Sequence, residues 1–203
     1  MHKRNLPHIY PVGADFFVTF RLKNSIPLLV LEKLQEAKEL KIAQIEQSKL
    51  TEDEKKTAIY VEEKRFFLQY DNALHKYATD DDCLRNPAVA QIVADKMHEY
   101  DEKHYDLLAY CIMPNHVHLL FSLNGYEISK VNQLMKWIKG GSAFLCNKVL
   151  NQTGTFWQQE SYNHYVRNAK ELQNIESYII ENPVKAGLLD DWQQWKFTYY
   201  KNL

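Results

Sequence analysis

The segment that decides the fold reads HYDLLAYCIMPNHVHLLFSL, from His104 to Leu123. Two apolar runs, 104–113 and 116–123, lie on either side of Pro114-Asn115. Proline fixes its own φ angle and asparagine tolerates unusual backbone angles, so this dipeptide favours a turn. The segment therefore predicts two neighbouring strands joined by a tight connection.

Patterns on both sides of this strand pair predict one earlier strand and several helices. Thr51 with Glu54 forms a capping-box signature, and Asn86-Pro87 suits the first turn of a helix. The predicted elements are a strand at 15–23, two helices within 28–77 that break near 48–52, a helix from 86 to about 100, a helix at 127–150 interrupted or bent at Gly140-Gly141, an extended segment at 155–167, and a helix at 169–181 that ends at Asn182-Pro183.

This order of elements predicts an α+β fold, in which an antiparallel sheet carries helices packed on it. No internal repeat or low-complexity linker divides the chain. We therefore expect a single domain over residues 1–203, with a long helical insertion at about 33–77 after the first strand. Residues 188–203 form an aromatic C-terminal tail.

The composition favours a globular protein of the cytoplasm. The chain has 203 residues, 25 Lys+Arg and 26 Asp+Glu, which gives a formal net charge of -1. Its longest apolar runs fall well short of the roughly 18 residues that a membrane-spanning helix needs. The three cysteines, Cys83, Cys111 and Cys146, form no CxxC pair. Secretion, membrane insertion and a zinc-finger architecture are therefore disfavoured.

Charge is distributed unevenly along the chain. Residues 136–170 carry five Lys or Arg against one Glu, whereas residues 79–106 carry three Lys or Arg against eight Asp or Glu. The basic stretch also contains several aromatic residues, and aromatics interleaved with cations suit base stacking beside phosphate contacts. A solvated helix face is the simpler explanation of each charge run taken alone.

His116 and His118 are separated by one residue on a predicted strand. Side chains alternate between the two faces of a strand, so both imidazoles project from the same face. Two adjacent nitrogen donors suit a divalent metal. The alternative is a pair of polar residues on the solvated face of an amphipathic strand.

Tyr178 lies on the last predicted helix, and Asn182 follows four residues later on the same helical face. A tyrosine on a helix usually serves as a packing residue with a hydrogen-bonded tip. Its position becomes informative only when it is considered together with the histidine pair.

Together the two regions resemble a known family. The run from Tyr110 to Leu120 (YCIMPNHVHLL) resembles the signature strand pair of the single-tyrosine HUH transposases, where HUH denotes two histidines around a hydrophobic residue. The run from Tyr178 to Leu188 (YIIENPVKAGL) resembles the nucleophile helix of that family. Its Asn-Pro pair is similar to the branch called REP-associated tyrosine transposases. The resemblance extends to residues 6–10 with 16–21, to 156–168 and to 192–200.

The resemblance implies a ferredoxin-like or RRM-like HUH nuclease sandwich that acts on hairpin-associated single-stranded DNA. Tyr178 would cleave the strand and form a 5′-phosphotyrosine, and strands would then be rejoined. His116, His118 and Asn182 would hold Mg²⁺ or Mn²⁺. A monomer or a homodimer fits the family, so Tyr178 serves either its own histidine pair or that of a partner.

The resemblance also implies a set of DNA contacts. The predicted phosphate contacts are Lys136, Lys139, Lys148, Arg167 and Lys185, and the predicted base-stacking residues are Trp137 and Tyr162. The chain departs from the family pattern in two places. Asn163 stands where the pattern has Asp, and Asn182 stands where other members have Gln. Loss of the carboxylate at residue 163 would weaken metal affinity or a substrate contact.

Three other functions remain open, and the two departures motivate the first of them. The first is a domesticated hairpin-DNA-binding protein with reduced or lost catalysis. The second is a metal-dependent hydrolase that uses the histidines without a protein nucleophile. The third is a replication or mobilisation initiator of the wider HUH group.

Overall fold

The computed structural model describes residues 14–123 and 131–202, and all bounds below refer to these. The elements are β1 Asp15–Arg21, α1 Leu28–Glu46, α2 Glu52–Lys76, α3 Pro87–Tyr100, β2 Asp106–Ile112, β3 His116–Ser122, α4 Val131–Val149, β4 Tyr162–Tyr165, α5 Ala169–Ile180, α6 Asn182–Lys185 and β5 Thr198–Tyr200. Short 3₁₀ turns cover Cys83–Arg85 and Trp192–Gln194. Residues 6–10 and the predicted start of α4 at 127–130 lie outside the described residues.

Five strands form one sheet in the order β4-β1-β3-β2-β5. Every neighbouring pair is antiparallel. The turn predicted at Pro114-Asn115 connects β2 to β3, and the Met113 N–H donates to the carbonyl of His116 at 2.8 Å. The predicted α+β class, with an antiparallel sheet and packed helices, is confirmed.

The sheet has helices on both faces. On one face, Phe16, Val18 and Phe20 of β1 join a buried apolar cluster with residues of α3 and α4. On the other face, α5 packs against β2, β3 and β5. Because strand side chains alternate, Phe17, Thr19 and Arg21 belong to the α5 face. This face is where the two histidines of β3 lie.

The local start signals predicted the helices well. The hydroxyl of Thr51 accepts a hydrogen bond from the Glu54 N–H, and the Glu54 carboxylate accepts one from the Thr51 N–H. Asn86 caps α3 through its side chain. The predicted interruption of α4 is wrong, because the helix runs through Gly140 and Gly141 without a break. Buried residues on both sides of the glycines hold this helix against α3, and packing of that kind offsets the poor helix propensity of glycine.

Strand β5 did not emerge from the sequence pattern. It occupies the tail at 188–203, where the pattern indicated only an aromatic segment, and it pairs with β2. Three residues are too few to establish an alternation of polar and apolar side chains. The strand exists because it adds to an edge that β2 already offers.

The described chain divides into two compact units. One contains β1 and everything from Cys83 onward, and the second spans Asn24–Asp82. The second unit consists of α1 and α2, which pack on each other, and it encloses the helical insertion at 33–77. A single domain over 1–203 stays a prediction. Within the described residues, no helix combines the length and apolar character that a bilayer-spanning segment requires.

A buried hydrogen bond connects the segment that leads into β4 to helix α4. The Trp157 Nε1–H donates to Ser142 Oγ at 3.0 Å, and both residues are buried. We expect Ser142→Ala to lower the free energy of unfolding by about 1–3 kcal/mol, because it leaves the indole N–H without this acceptor. Denaturant titration measures the change.

The matched control is Trp157→Phe, alone and combined with Ser142→Ala. Once the indole donor is absent, removal of the serine hydroxyl no longer breaks this hydrogen bond. The double variant should therefore be destabilised by less than the sum of the single variants. Additive effects in this cycle would contradict the assigned hydrogen bond.

Candidate active site

The register between β1 and β3 creates the centre of the site. Thr19 lies opposite His118 and Arg21 lies opposite His116. Directly opposed residues share a face of the sheet and their Cβ atoms are close. The two histidines, predicted to share a face, are therefore accompanied by a hydroxyl and a buried guanidinium on the neighbouring strand.

The two imidazoles point at each other through their Nε2 atoms, which are 3.1 Å apart. The Nδ1 atom of His118 lies 2.8 Å from Thr19 Oγ1, and that of His116 lies 2.6 Å from Asn115 Oδ1. Both histidines are buried, with 1% of His116 and none of His118 exposed. This burial excludes the alternative in which the two histidines are polar residues on a solvated strand face.

The donor set fits a divalent cation. When each Nδ1–H donates to its neighbour's oxygen, both Nε2 lone pairs face the same point, as in metal sites whose histidines are oriented by an outer hydrogen bond. Two ligands that lie about 2.1 Å from one cation at a right angle are about 3.0 Å apart. The observed separation of 3.1 Å matches this value. His116 and His118 could therefore hold one ion together.

Tyr178 lies beside the histidine pair of the same chain. Its ring makes an edge contact with the imidazole of His118, with centroids 5.4 Å apart and an interplanar angle of 71°. A second edge contact, at 6.1 Å, joins it to Phe17 of β1. Tyr178 is only half-buried, so its ring remains in reach of solvent. Helix α5 thus brings a phenol to two imidazoles that are distant in sequence.

Lys185 adds a cation to this arrangement. Its Nζ lies 5.1 Å from the ring centroid of Tyr178 and 3.2 Å from Glu181 Oε2. Both side chains of this ion pair are about half exposed, at 48% for Lys185 and 52% for Glu181. Asn182 between them is fully buried and begins the one-turn helix α6. Its role as a metal ligand stays a prediction.

The remaining predicted DNA contacts divide between the two faces of the sheet. Tyr162 lies opposite Thr19, on the α5 face, and its ring contacts Phe17. Arg167 is exposed just before α5. The others, Lys136, Trp137, Lys139 and Lys148, lie on α4, which packs on the opposite face of the sheet. The structure therefore brings Lys185 to Tyr178 and brings Tyr162 to Phe17, which also contacts Tyr178, but it places the α4 residues in another layer.

Two of the α4 residues are already engaged within the protein. Lys139 Nζ donates to the carbonyls of Gln158 and Gln159 and to Ser161 Oγ, at 2.8, 2.9 and 3.1 Å. These bonds use all three donors of the ammonium group. The ring of Trp137 stacks on Tyr100 at 5.7 Å and also contacts His104. We therefore favour structural roles for both residues.

Register also bears on the departure at Asn163. This residue lies opposite Val18, which belongs to the apolar cluster with α3 and α4. Asn163 therefore faces away from the histidine pair, and a carboxylate there would not reach a cation between the imidazoles. Its neighbour His164 lies opposite Phe17, on the α5 face. The position of Asn163 therefore gives no support to the expected loss of metal affinity, and the expected loss of a substrate contact stays a prediction.

Two carboxyl groups, Glu176 on α5 and Glu160 in the segment before β4, have shifted pKa values. Burial raises the pKa of Glu176, and a hydrogen bond from the Tyr200 hydroxyl opposes this shift. The hydrogen bond from the Gln158 side chain lowers the pKa of Glu160, and the nearby charges of Lys139 and Arg21 act in the same direction. Glu160 therefore stays ionised beside the segment that leads into β4.

Sequence comparison identifies the class of protein that carries this site. A family model described as "Transposase IS200 like" matches residues 78–182, which is more than half of the chain. The matched segment contains both histidines and Tyr178. The chain belongs to the IS200-like transposase family.

Individual relatives point to one branch of this family. A protein of Haemophilus influenzae assigned as a REP-associated tyrosine transposase is 30% identical over 104 residues, which cover 47% of this chain and 59% of that protein. A REP-associated tyrosine transposase of Escherichia coli is 23% identical over 99 residues, which cover 49% of this chain and 56% of that protein. The chain thus spans less than two thirds of the length of either relative.

A solved structure agrees with this branch at the level of fold. The structure of a REP-associated tyrosine transposase bound to a REP hairpin matches with a TM-score of 0.50 and 18% identity, over 98% of this chain and 81% of that one. The predicted resemblance to the REP-associated tyrosine transposases is confirmed.

The hydrogen bond between Thr19 and His118 can be tested directly. Thr19→Val removes the hydroxyl and keeps the shape of the side chain. We expect the Nδ1-protonated tautomer of His118 to become less populated and the free energy of unfolding to fall by about 1–3 kcal/mol. ¹⁵N NMR of the imidazoles measures the tautomer, and Thr19→Ser, which keeps the hydroxyl, should resemble the parent protein. An unchanged tautomer in Thr19→Val would contradict the assignment.

Proposed function

We propose that this protein cleaves single-stranded DNA through Tyr178, with a divalent cation at His116 and His118, and rejoins the strands as a transposase. The observation that carries this proposal is the contact between the rings of Tyr178 and His118 within one chain. A nucleophile and a cation site must lie side by side to act on the same phosphate. One copy of the chain contains both, so we propose that Tyr178 serves its own histidine pair.

The proposed substrate is single-stranded DNA next to a hairpin. Support comes from the solved relative, which is bound to a REP hairpin, and from the curated relatives, which carry the REP-associated name. The exposed cations that flank α5 and α6 in the chain, Arg167 and Lys185, would contact phosphates. The half-buried Tyr162, on the α5 face, would stack on a base. The cytoplasmic location stays a prediction.

The histidine pair would hold Mg²⁺ or Mn²⁺, and a bound cation supplies Lewis-acid stabilisation of phosphate charge. Mg²⁺ and Mn²⁺ both favour oxygen ligands over imidazole, so binding at the histidine pair should be loose and completed by DNA oxygens. Asn115 and Thr19 orient the two rings through their Nδ1 atoms. Both imidazoles are buried, so DNA reaches them only after a local rearrangement around the site.

Tyr178 would carry out the covalent step. Its Oη forms a bond to phosphorus while the bond from phosphorus to the 3′ oxygen breaks, which yields a 5′-phosphotyrosine and a 3′-hydroxyl. The phenolic proton passes to solvent and the 3′ oxygen takes up a proton. Attack by a 3′-hydroxyl on the phosphotyrosine then reverses the exchange, so strands are rejoined without an external energy source.

A covalent-adduct assay tests the proposal. Hairpin-flanked single-stranded DNA carrying a label is incubated with the protein and Mn²⁺, and the products are resolved under denaturing conditions. We expect a protein–DNA adduct that disappears in Tyr178→Phe and after chelation of the cation, because each change removes one of the two groups that act on the phosphate.

The same experiment separates the alternatives. Cleavage that persists in Tyr178→Phe would instead show a metal-dependent hydrolase. Tight hairpin binding without cleavage would show a domesticated binding protein, the alternative that Asn163 and Asn182 suggested. Because Asn163 faces away from the histidines, its position gives this alternative no support through the cation, whereas a weaker substrate contact at Asn163 and the role of Asn182 stay predictions.

Lys185 and Glu181 provide a test of the DNA path. An exposed ion pair contributes little to stability, so a DNA phosphate can replace the Glu181 carboxylate as the partner of Lys185. We expect Lys185→Gln to weaken single-stranded DNA binding and to reduce the salt slope of log K by about 0.7. Glu181→Gln should strengthen binding, because it removes the competing carboxylate. Fluorescence anisotropy over a salt series measures both.

The control is Lys56→Gln, which breaks another exposed ion pair, Lys56 with Asp53 on α2. Binding should not change in this variant. If Lys185→Gln behaves like Lys56→Gln, Lys185 does not contact DNA, although Tyr178 can still be the nucleophile.

A further inference from the structure

One buried carboxylate holds the start of the helix that carries Tyr178. Glu171 lies in the first turn of α5 and is only 5% exposed. Its Oε2 accepts the backbone N–H of Arg167 at 2.9 Å, and its own N–H donates to Oδ1 of Asn168, the capping residue, at 2.9 Å. Up to this point the arrangement resembles an ordinary helix cap.

The second carboxylate oxygen leaves the helix and reaches the sheet. Glu171 Oε1 lies 3.2 Å from Nε2 of His164 on β4, and the side chain of His164 is only 11% exposed. A glutamate is almost never buried unless it is paired, because desolvation of the charge is costly. An exposed cap would avoid that cost. The buried connection therefore does more than cap the first turn of α5.

The strand position of His164 is next to the surroundings of Tyr178, and Phe17 joins the two. His164 lies opposite Phe17 in the pairing of β4 with β1. The ring of Phe17 contacts His118, with centroids 5.7 Å apart, and also Tyr178, at 6.1 Å. On α5 itself, Tyr178 follows Glu171 by two helical turns, so both side chains face the sheet.

We propose that Glu171 and His164 are positioning residues, which fix α5 on the sheet so that the phenol of Tyr178 meets the histidine pair. This inference rests on the proposed function. A helix tied at its first turn cannot rotate or slide freely, and a displacement of about 1 Å at a nucleophile can cost on the order of a hundredfold in rate. The tie acts on the chemical step, because the side chains of Glu171 and His164 are largely buried away from DNA, and Glu171 contacts Arg167, a proposed phosphate contact, through the backbone N–H.

Three variants with hairpin DNA and Mn²⁺ test the proposal. Glu171→Ala breaks the connection to β4, and we expect the single-turnover rate of adduct formation to fall about tenfold or more while the dissociation constant of the hairpin stays within about twofold. Glu171→Gln keeps an acceptor for Arg167 and a donor for His164, so it should recover most of the rate. Asn168→Ala removes the cap from the same helical turn but leaves the contact between Glu171 and His164 in place.

Asn168→Ala separates positioning from general helix stability. We expect its adduct rate to stay close to that of the parent protein, even though its melting temperature falls. A readout that needs no DNA is the ¹⁹F resonance of 3-fluorotyrosine at position 178. This resonance should broaden or split in Glu171→Ala, because the ring is no longer held in one position, and it should stay single in Asn168→Ala.

Two results would overturn the positioning role. One is an unchanged rate and an unchanged ¹⁹F resonance in Glu171→Ala. The other is an equal loss of rate in Asn168→Ala and Glu171→Ala. If the parent protein forms no adduct at all, the proposed function fails, and the ¹⁹F comparison still decides whether Glu171 holds Tyr178 in place.

Discussion

The site depends on the register of two antiparallel strands. With Thr19 opposite His118 and Arg21 opposite His116, both imidazoles share a face with a hydroxyl that orients one of them. A slip of one residue would turn every side chain of β3 to the other face, among the apolar residues that pack on α3 and α4. Burial of Phe16, Val18 and Phe20 on that second face opposes such a slip. The hydrophobic core therefore holds the candidate cation site in register.

Helix α5 supplies the other half of the site, and its contacts differ in strength. Near its start, a buried carboxylate connects the helix to β4. Beyond its end, Lys185, which forms an exposed ion pair with Glu181, lies over the ring of Tyr178. Loss of one partner from a buried pair is costly, whereas an exposed pair exchanges partners easily. This difference suits the proposed roles of both residues, in which Tyr178 stays fixed on the sheet as the nucleophile and Lys185 exchanges the Glu181 carboxylate for a DNA phosphate.

Local signals predicted most of the elements because their causes are local. Capping residues such as Thr51 and Asn86 act within one helical turn, and the strand pair around Pro114-Asn115 follows from apolar runs and a turn. The errors have distant causes. Strand β5 depends on an edge of β2, and the continuity of α4 through Gly140-Gly141 depends on packing with α3. Neither partner is visible in the segment itself.

The sequence alone determined the chemical components of this protein: two imidazoles on one strand face, a phenol on a later helix, and the motifs that indicate the transposase family. Periodicity and capping are properties of neighbouring residues, so sequence was sufficient for these. Tertiary structure alone decided which components meet. It placed Tyr178 against His118, turned Asn163 away from the pair, engaged Lys139 within the protein and joined Glu171 to His164. These outcomes depend on strand register and helix packing, which bring together residues that no local pattern connects.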